Sequence, residues 1–461
     1  MIFSSITFLY YFLPILLLIY FITPNRYKNF VLLLFSLLFY FYGEPKYIWI
    51  LLFSCVFNFY IGKKIGKSFN TKKSTVYLIF GILINFGLLF YFKYTDFMIT
   101  NINQILSISI PLMHIVMPIG ISFFTFQTVG YLVDVYQGKV AYNNKFLDFA
   151  TYVTLFPQLV AGPIVRYVTI EEELKSRNHS YSQFAQGVKR FVIGLAKKVL
   201  LANILGELAS SLAGITVPTI LSTWVHAIAV TLQIYFDFSG YSDMAIGLGL
   251  LFGFHFLENF NYPLIASSIT DFWRRWHISL SSWLKDYIYI PLGGSRVSKL
   301  KWIRNIFIVW FCTGFWHGAA WNFIMWGLYF AVLLVIEKVI LKDFLKKHKI
   351  IAHIYTILLV VFSFVIFSQE SGTILNLFKC LFGLGNLTFT NAETVYYIRN
   401  YGILLLVAVM AATPILTNQM KQFQNKKWMT IVEPIYYVVL LLVCTAFLID
   451  ASFNPFLYFR F

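Results

Sequence analysis

Residues 6–23 read ITFLYYFLPILLLIYFIT, a run without a single charged side chain. About 20 apolar residues in a row are what a helix needs to cross the hydrocarbon core of a bilayer, where every backbone N–H and C=O must bond within the protein. Segments 75–92, 350–367 and 430–449 read the same way. Over all 461 residues, 59% are hydrophobic, 20% aromatic and 12% charged, against roughly 25% charged in a soluble domain. So few polar residues cannot clothe a soluble surface, and the sequence specifies an all-α polytopic membrane protein. The opening MIFSSITFLYYFLPILLLIYF has no basic leader and no small-residue cleavage site, and reads as a retained first span.

A net charge of +17 raises the question of nucleic-acid binding. The basic residues instead sit in short segments between apolar blocks, as cytoplasmic loops of membrane proteins do. Lys63, Lys64, Lys67, Lys72 and Lys73 form one cluster, Lys342, Lys346, Lys347 and Lys349 a second, and Lys421, Lys426 and Lys427 a third. Placing all three inside the cell membrane leaves both termini extracytoplasmic. Cys55, Cys312, Cys380 and Cys444 show no CxxC spacing. They read as buried apolar residues, with neither a metal site nor a disulfide framework.

The middle of the chain is different. Segments 111–136, 147–165, 220–238 and 241–257 are apolar yet carry Pro118, Gln127, Asp134, Pro157, Gln158, Pro163, Asp237 and Asp243. Lipid-facing helices do not accept so many breaks and acids, so these segments are buried in protein or line a cavity. The expected architecture is about 10–12 transmembrane helices plus re-entrant and interfacial helices around a central funnel or tunnel. It forms a single membrane domain over 1–461, with peripheral spans in 1–105, a core over about 110–335 and further spans in 350–461. Between 258 and 305 the chain turns basic and amphipathic, and Trp273, Trp276, Trp283 and Trp302 are expected as interfacial anchors.

Of the eight histidines, two stand out. His317, in GFWHGAAWNFIMWGLYF (314–330), is flanked by tryptophans with no acid nearby. A satisfied core histidine is one reading; a neutral imidazole able to take a proton is the favoured one, because desolvation disfavours both burial without purpose and the charged form. His277, in DFWRRWHISLSSW, stands beside Arg274 and Arg275. Two arginines there fit either a phosphate-bearing donor or anionic lipid headgroups. FDFSGYSD holds Asp237 and Asp243, as structural pillars or as a cavity wall. Ser242 lacks a GxSxG setting and is discounted as a nucleophile.

FPQLVAGPIVRY, the run from FDFSGYSD through FWRRWH to WLKDYIYIPLGGSR, and GFWHGAAW, in this order, resemble the membrane-bound O-acyltransferase superfamily over about residues 110–335. WLKDYIYIPLGGSR is similar to the bacterial branch of the alginate O-acetylation membrane protein and the peptidoglycan O-acetylation transmembrane protein. The resemblance implies acetyl-CoA as cytoplasmic donor, no bound cofactor and no metal. It also implies an extracytoplasmic O-acetyltransferase partner and a cell-envelope polysaccharide acceptor. His317 is then the catalytic histidine and His277 the second signature position. Arg274, Arg275 and Lys285 are expected at the donor phosphates, and Asp237, Asn322 and Trp316 around the substrate. Tyr458, in the tail NPFLYFRF, is either an acyl relay or an interfacial anchor. D-alanyl transfer to teichoic acid and a transporter without acyl chemistry are the competing functions.

Overall fold

The computed structural model describes residues 2–369, 372–384, 387–423 and 426–450, and every regular element among them is helical. Among the described residues six helices are long and apolar enough to cross a bilayer: Ile48–Lys67, Lys72–Leu106, Trp321–Lys347, Lys349–Ser368, Ala392–Ala411 and Met429–Asp450. That is fewer than the expected spans. Several apolar blocks form helices too short to span alone, including Phe146–Thr154, Phe156–Leu159 and Ile121–Tyr136. Proline and glycine are the cause: Pro118 and Gly120 delay one helix to Ile121, with Gly120 in the left-handed region (φ 78), and Pro157 opens a separate short helix.

The chain divides into two compact units, Met1–Phe191 with Asp243–Glu258, and Val192–Ser242 with Asn259–Phe461. In the first, the Ile121–Tyr136 helix is buried along nearly its whole length. Close approach of its neighbours depends on glycine, since a Cβ on Gly62 would lie 2.5 Å from the Tyr131 ring and one on Gly81 2.6 Å from Leu132. A buried amide pair ties three helices together. Asn58 donates to Asn85 Oδ1 (3.0 Å), Asn85 donates back to Asn58 Oδ1 (2.7 Å), and Thr128 adds a bond to Asn85. Such polar glue replaces the hydrophobic drive that lipid cannot supply.

The Ile220–Leu251 helix runs unbroken through SGYSD, where two segments were expected. Gly240 permits close packing there: its Cβ would lie 2.8 Å from the Gly194 carbonyl oxygen. Within the first unit Gly247 meets Gly187 in the same way, at 2.7 Å. The nearby acids are tied to bases of the partner helix. Lys198 Nζ lies 2.5 Å from Asp237 Oδ1 in the second unit, and Arg190 Nη2 lies 2.7 Å from Asp243 Oδ1 in the first. The first pair is buried and the second only partly so; removing one partner of the buried pair would leave an uncompensated charge.

The four expected interfacial tryptophans are interior. Trp273, Trp276, Trp283 and Trp302 are 7%, 3%, 3% and 7% exposed. Amphipathic periodicity shows which face of a helix is apolar, but not whether lipid headgroups or protein will cover it. Here protein does: Phe330 meets the Trp273 ring at 5.0 Å and Phe364 meets Trp276 at 5.1 Å.

Candidate active site

The site grows from a glycine crossing. The Lys299–His317 helix packs on the Trp321–Ile336 helix with almost no side chain between them. A Cβ on Gly314 would lie 2.3 Å from the Phe323 carbonyl oxygen, and one on Gly327 would lie 2.3 Å from that of Trp310. The first helix ends at His317, and Gly318 turns the chain away with extended dihedrals. A side chain on Gly318 would strike the Phe323 ring at 2.2 Å. GFWHG is therefore a geometric device, in which two glycines seat the backbone on either side of the imidazole. His317 itself is 5% exposed and ringed by Trp316 (5.0 Å), Trp326 (4.9 Å) and Phe367 (5.4 Å).

His277 reaches the same cluster from another element. Its ring lies 6.1 Å from that of Trp316, so both imidazoles pack on one indole. His277 joins the short helices Ile269–Arg275 and Ile278–Leu284 in the left-handed region (φ 44), a conformation that costs a non-glycine residue roughly 1 kcal/mol or more. The strap 259–262 holds this turn, with Ile278 N donating to Asn259 O (3.0 Å) and Asn261 N to Arg275 O (2.9 Å).

Asn259 also sets the tautomer of His277. The Ser279 main-chain N–H can only donate, and it donates to Asn259 Oδ1 (3.2 Å); the Asn259 amide nitrogen donates to Ser242 Oγ (3.0 Å). His277 Nδ1, 3.2 Å from that same oxygen, must then carry the proton, which makes Nε2 the acceptor. Burial first, and His317 second, hold the His277 pKa well below the ordinary histidine value.

A cavity of about 250 Å³ opens in the same unit, lined among others by Thr270, Lys285, Trp302, Trp310 and Lys338. Its polar end is basic. Lys285 is exposed, and the Lys338 ammonium sits 4.6 Å from the Trp302 ring. Glu337, next to Lys338, is buried and caps the helix that begins at Ile269, accepting from Ile269 N (2.6 Å) and Thr270 N (3.1 Å). Edge-on indoles run from this cavity to the histidine: Trp310 to Trp273 (4.5 Å), Trp273 to Trp326 (5.6 Å), Trp326 to His317 (4.9 Å). The indole nitrogens of Trp273 and Trp326 are buried and have no hydrogen-bond partner among the described residues.

The structure brings together His317, His277 and Trp316, and puts Lys285 on the cavity. Arg274 is exposed, and Arg275 is turned to Asp271 (3.0 Å) and Asn261 O; neither lines that cavity. Asp237 is engaged by Lys198. Asn322 donates to the Phe367 carbonyl (2.9 Å), which positions the Phe367 ring against His317. Tyr458 lies outside the described residues. Asn259, Trp326 and Lys338 were not singled out from the sequence. Asn259 had a weak signal, as one of two amides in ENFNYP; Lys338 sits at the end of a long apolar run, where a topological lysine is expected.

Comparison with known sequences adds a second line of support. The pattern of MBOAT, membrane-bound O-acyltransferase family, matches residues 139–378, which hold both histidines and both cavity lysines. The chain is 41% identical over 392 residues to a probable alginate O-acetylase of Pseudomonas aeruginosa, covering 84% of this chain and 75% of that one. It is 34% identical over 515 aligned positions to a peptidoglycan O-acetyltransferase of Helicobacter pylori, covering 100% and 98%. A teichoic acid D-alanyltransferase of Bacillus subtilis is 30% identical over 273 residues, covering 55% and 69%.

Proposed function

The chain belongs to the membrane-bound O-acyltransferase family and is a multi-pass membrane acyltransferase; from that premise we propose that it takes acetyl from cytoplasmic acetyl-CoA for O-acetylation of a cell-envelope polysaccharide. Peptidoglycan, alginate or another exopolysaccharide is the acceptor class, reached through an extracytoplasmic partner transferase. The acetyl reading is favoured over D-alanyl transfer because the O-acetylating relatives align over most of the chain, the D-alanyltransferase over 55% of it. Buried acids would equally suit a transporter, but here Asp237 and Asp243 are spent on helix ties.

The observation that carries the reading is the row of indoles joining a basic cavity to a buried imidazole. A CoA thioester bears several phosphate charges and cannot cross the bilayer, whereas its acetyl group is small. Lys285 and Lys338 would hold the phosphates. The pantetheine arm would run along the indoles and bring the thioester carbonyl to His317. The imidazole takes the proton of the attacking hydroxyl as its oxygen bonds to the carbonyl carbon. The Trp326 N–H, a buried donor with no other partner among the described residues, would bond the oxyanion as it forms. Collapse breaks the C–S bond, and the imidazolium returns its proton to the departing thiolate.

His277 acts through the shared indole as a positioning residue, held by Asn259. The attacking hydroxyl belongs to the partner, to the polymer, or to Tyr458 as a relay. The basic clusters support an orientation with both termini outside the cell membrane. Deleting the gene for this chain tests the substrate class. Loss of ester-linked acetate from envelope polysaccharide is expected; unchanged acetate sinks the acetyl reading, and loss of D-alanine esters instead selects the teichoic acid alternative.

A further inference from the structure

We propose that the cavity of about 450 Å³ lined by Phe21, His179, Gln183, Phe184, Leu250 and Leu251 binds an anionic phospholipid. Its phosphate would lie against Lys28 and Arg177, and an acyl chain would lie on the apolar wall. All these residues belong to the first unit, and nothing in the inference depends on acyl transfer.

The charge balance points to an anion. Lys28 is only 7% exposed, yet its ammonium forms no ion pair and no hydrogen bond among the described residues. Its contacts are with ring faces, 4.9 Å from the Tyr20 centroid and 5.7 Å from that of Phe21, which lines the cavity. A second cation stands close by. Arg177 donates from Nε to Tyr20 Oη (3.2 Å) and from Nη1 to Asn29 Oδ1 (2.7 Å) and Glu173 O (2.9 Å). These three bonds fix the guanidinium and leave its Nη2 donors for a ligand.

Among the described residues no carboxylate forms an ion pair with either cation. The Glu173 carboxylate accepts from His255, at the main-chain N (3.0 Å) and at Nδ1 (2.6 Å), and the Asp148 oxygen accepts from Asn29 (2.6 Å). Burial first, and the Arg177 charge second, lower the Lys28 pKa. His179, whose Nε2 lies 3.3 Å from Tyr20 Oη, is likewise lowered by burial and by both cations. A buried and a half-buried positive charge that repel each other are relieved by an anion bound beside them.

The apolar wall selects the kind of anion. Phe21 belongs to the Leu13–Ile22 helix, which also exposes Leu18 and Ile22, and Leu250 and Phe184 continue the apolar surface inside the cavity. A free phosphate has no use for such a wall, whereas a phosphodiester with fatty-acyl chains satisfies both halves of the site.

The test is native mass spectrometry of the delipidated full-length protein. It is titrated separately with palmitoyl-oleoyl phosphatidylglycerol, with the phosphatidylcholine of the same chains, and with inorganic phosphate. Phosphatidylglycerol should bind more tightly than phosphatidylcholine, and Lys28→Ala should weaken it about fivefold, the effect of one basic residue at a lipid surface. Lys28→Arg should retain it. Equal affinity of the two lipids, or equal affinity of wild type and a folded Lys28→Ala, overturns the proposal. Displacement of phosphatidylglycerol by inorganic phosphate would show a soluble-anion site and overturn the lipid assignment. If melting shows Lys28→Ala to be unfolded, Leu250→Trp decides on the same readout: it fills the cavity, keeps both cations, and should abolish the preference.

Discussion

Two cavities in this molecule set an apolar wall near lysine, which lines the one directly and stands behind the lining ring of Phe21 in the other, and they differ in what lies behind that wall. Behind Lys285 and Lys338 a row of indoles leads to His317, two of them with buried N–H groups that lack partners among the described residues. Behind Lys28 and Arg177 lies an aromatic packing of Tyr20, Phe252 and Phe156, and Tyr20 spends its hydroxyl on the Phe252 carbonyl (3.0 Å). On the two proposals made above, basic residues beside apolar surface attract a phosphate in either place. Only a path of unspent donors ending on a base turns attraction into chemistry.

That contrast breaks first at Trp326. Trp326→Phe keeps a smaller aromatic ring and removes the N–H, so kcat for acetyl transfer should fall by about 10²-fold, the usual effect of losing an oxyanion donor, with KM little changed. An unaltered kcat would make the indole row packing alone. Next come the cavity lysines. Lys338→Ala and Lys285→Ala should each raise KM for acetyl-CoA about tenfold, since a charge-assisted contact contributes about 1.5 kcal/mol or more, and should leave phosphatidylglycerol adducts as in wild type. Loss of those adducts would mean the two cavities serve one ligand.

Smaller effects concern the supports. His277 has a depressed pKa in the folded protein, so the folded state resists binding a proton that the unfolded chain accepts. Stability on its account is full above the unfolded value of about 6.5 and declines as pH falls below it, by about 1 kcal/mol per unit. The melting temperature in detergent should drop between pH 8 and pH 5.5, and the drop should shrink in His277→Gln. Tyr458→Phe separates relay from anchor: unchanged polymer acetylation removes the relay.

The helical membrane class was legible because it rests on composition and on apolar runs such as 350–367, which the structure returns as Lys349–Ser368. The setting of His317 was legible too, since its glycine and tryptophan neighbours are adjacent in sequence. What was not legible is tertiary. Segments 220–238 and 241–257 look like two helices until one helix, Ile220–Leu251, is found to run through both, and Asp237 reads as either a structural pillar or a cavity wall until Lys198 is found beside it. Trp273 looks like an interfacial anchor until Trp310 and Trp326 cover it. Arg274 and Arg275 carry the more conspicuous charge, yet Lys338 faces the cavity. Local pattern identifies which residues are unusual; which of them meet is decided by helices far apart in the chain.

The most direct measurement is thioester turnover by the purified protein with radiolabelled acetyl-CoA and its acceptor, wild type against His317→Ala, with both variants shown to be folded by melting. Catalysis at His317 predicts that the substitution lowers the rate by about 10³-fold, within the range of a lost general base. Equal turnover by the two proteins would contradict it.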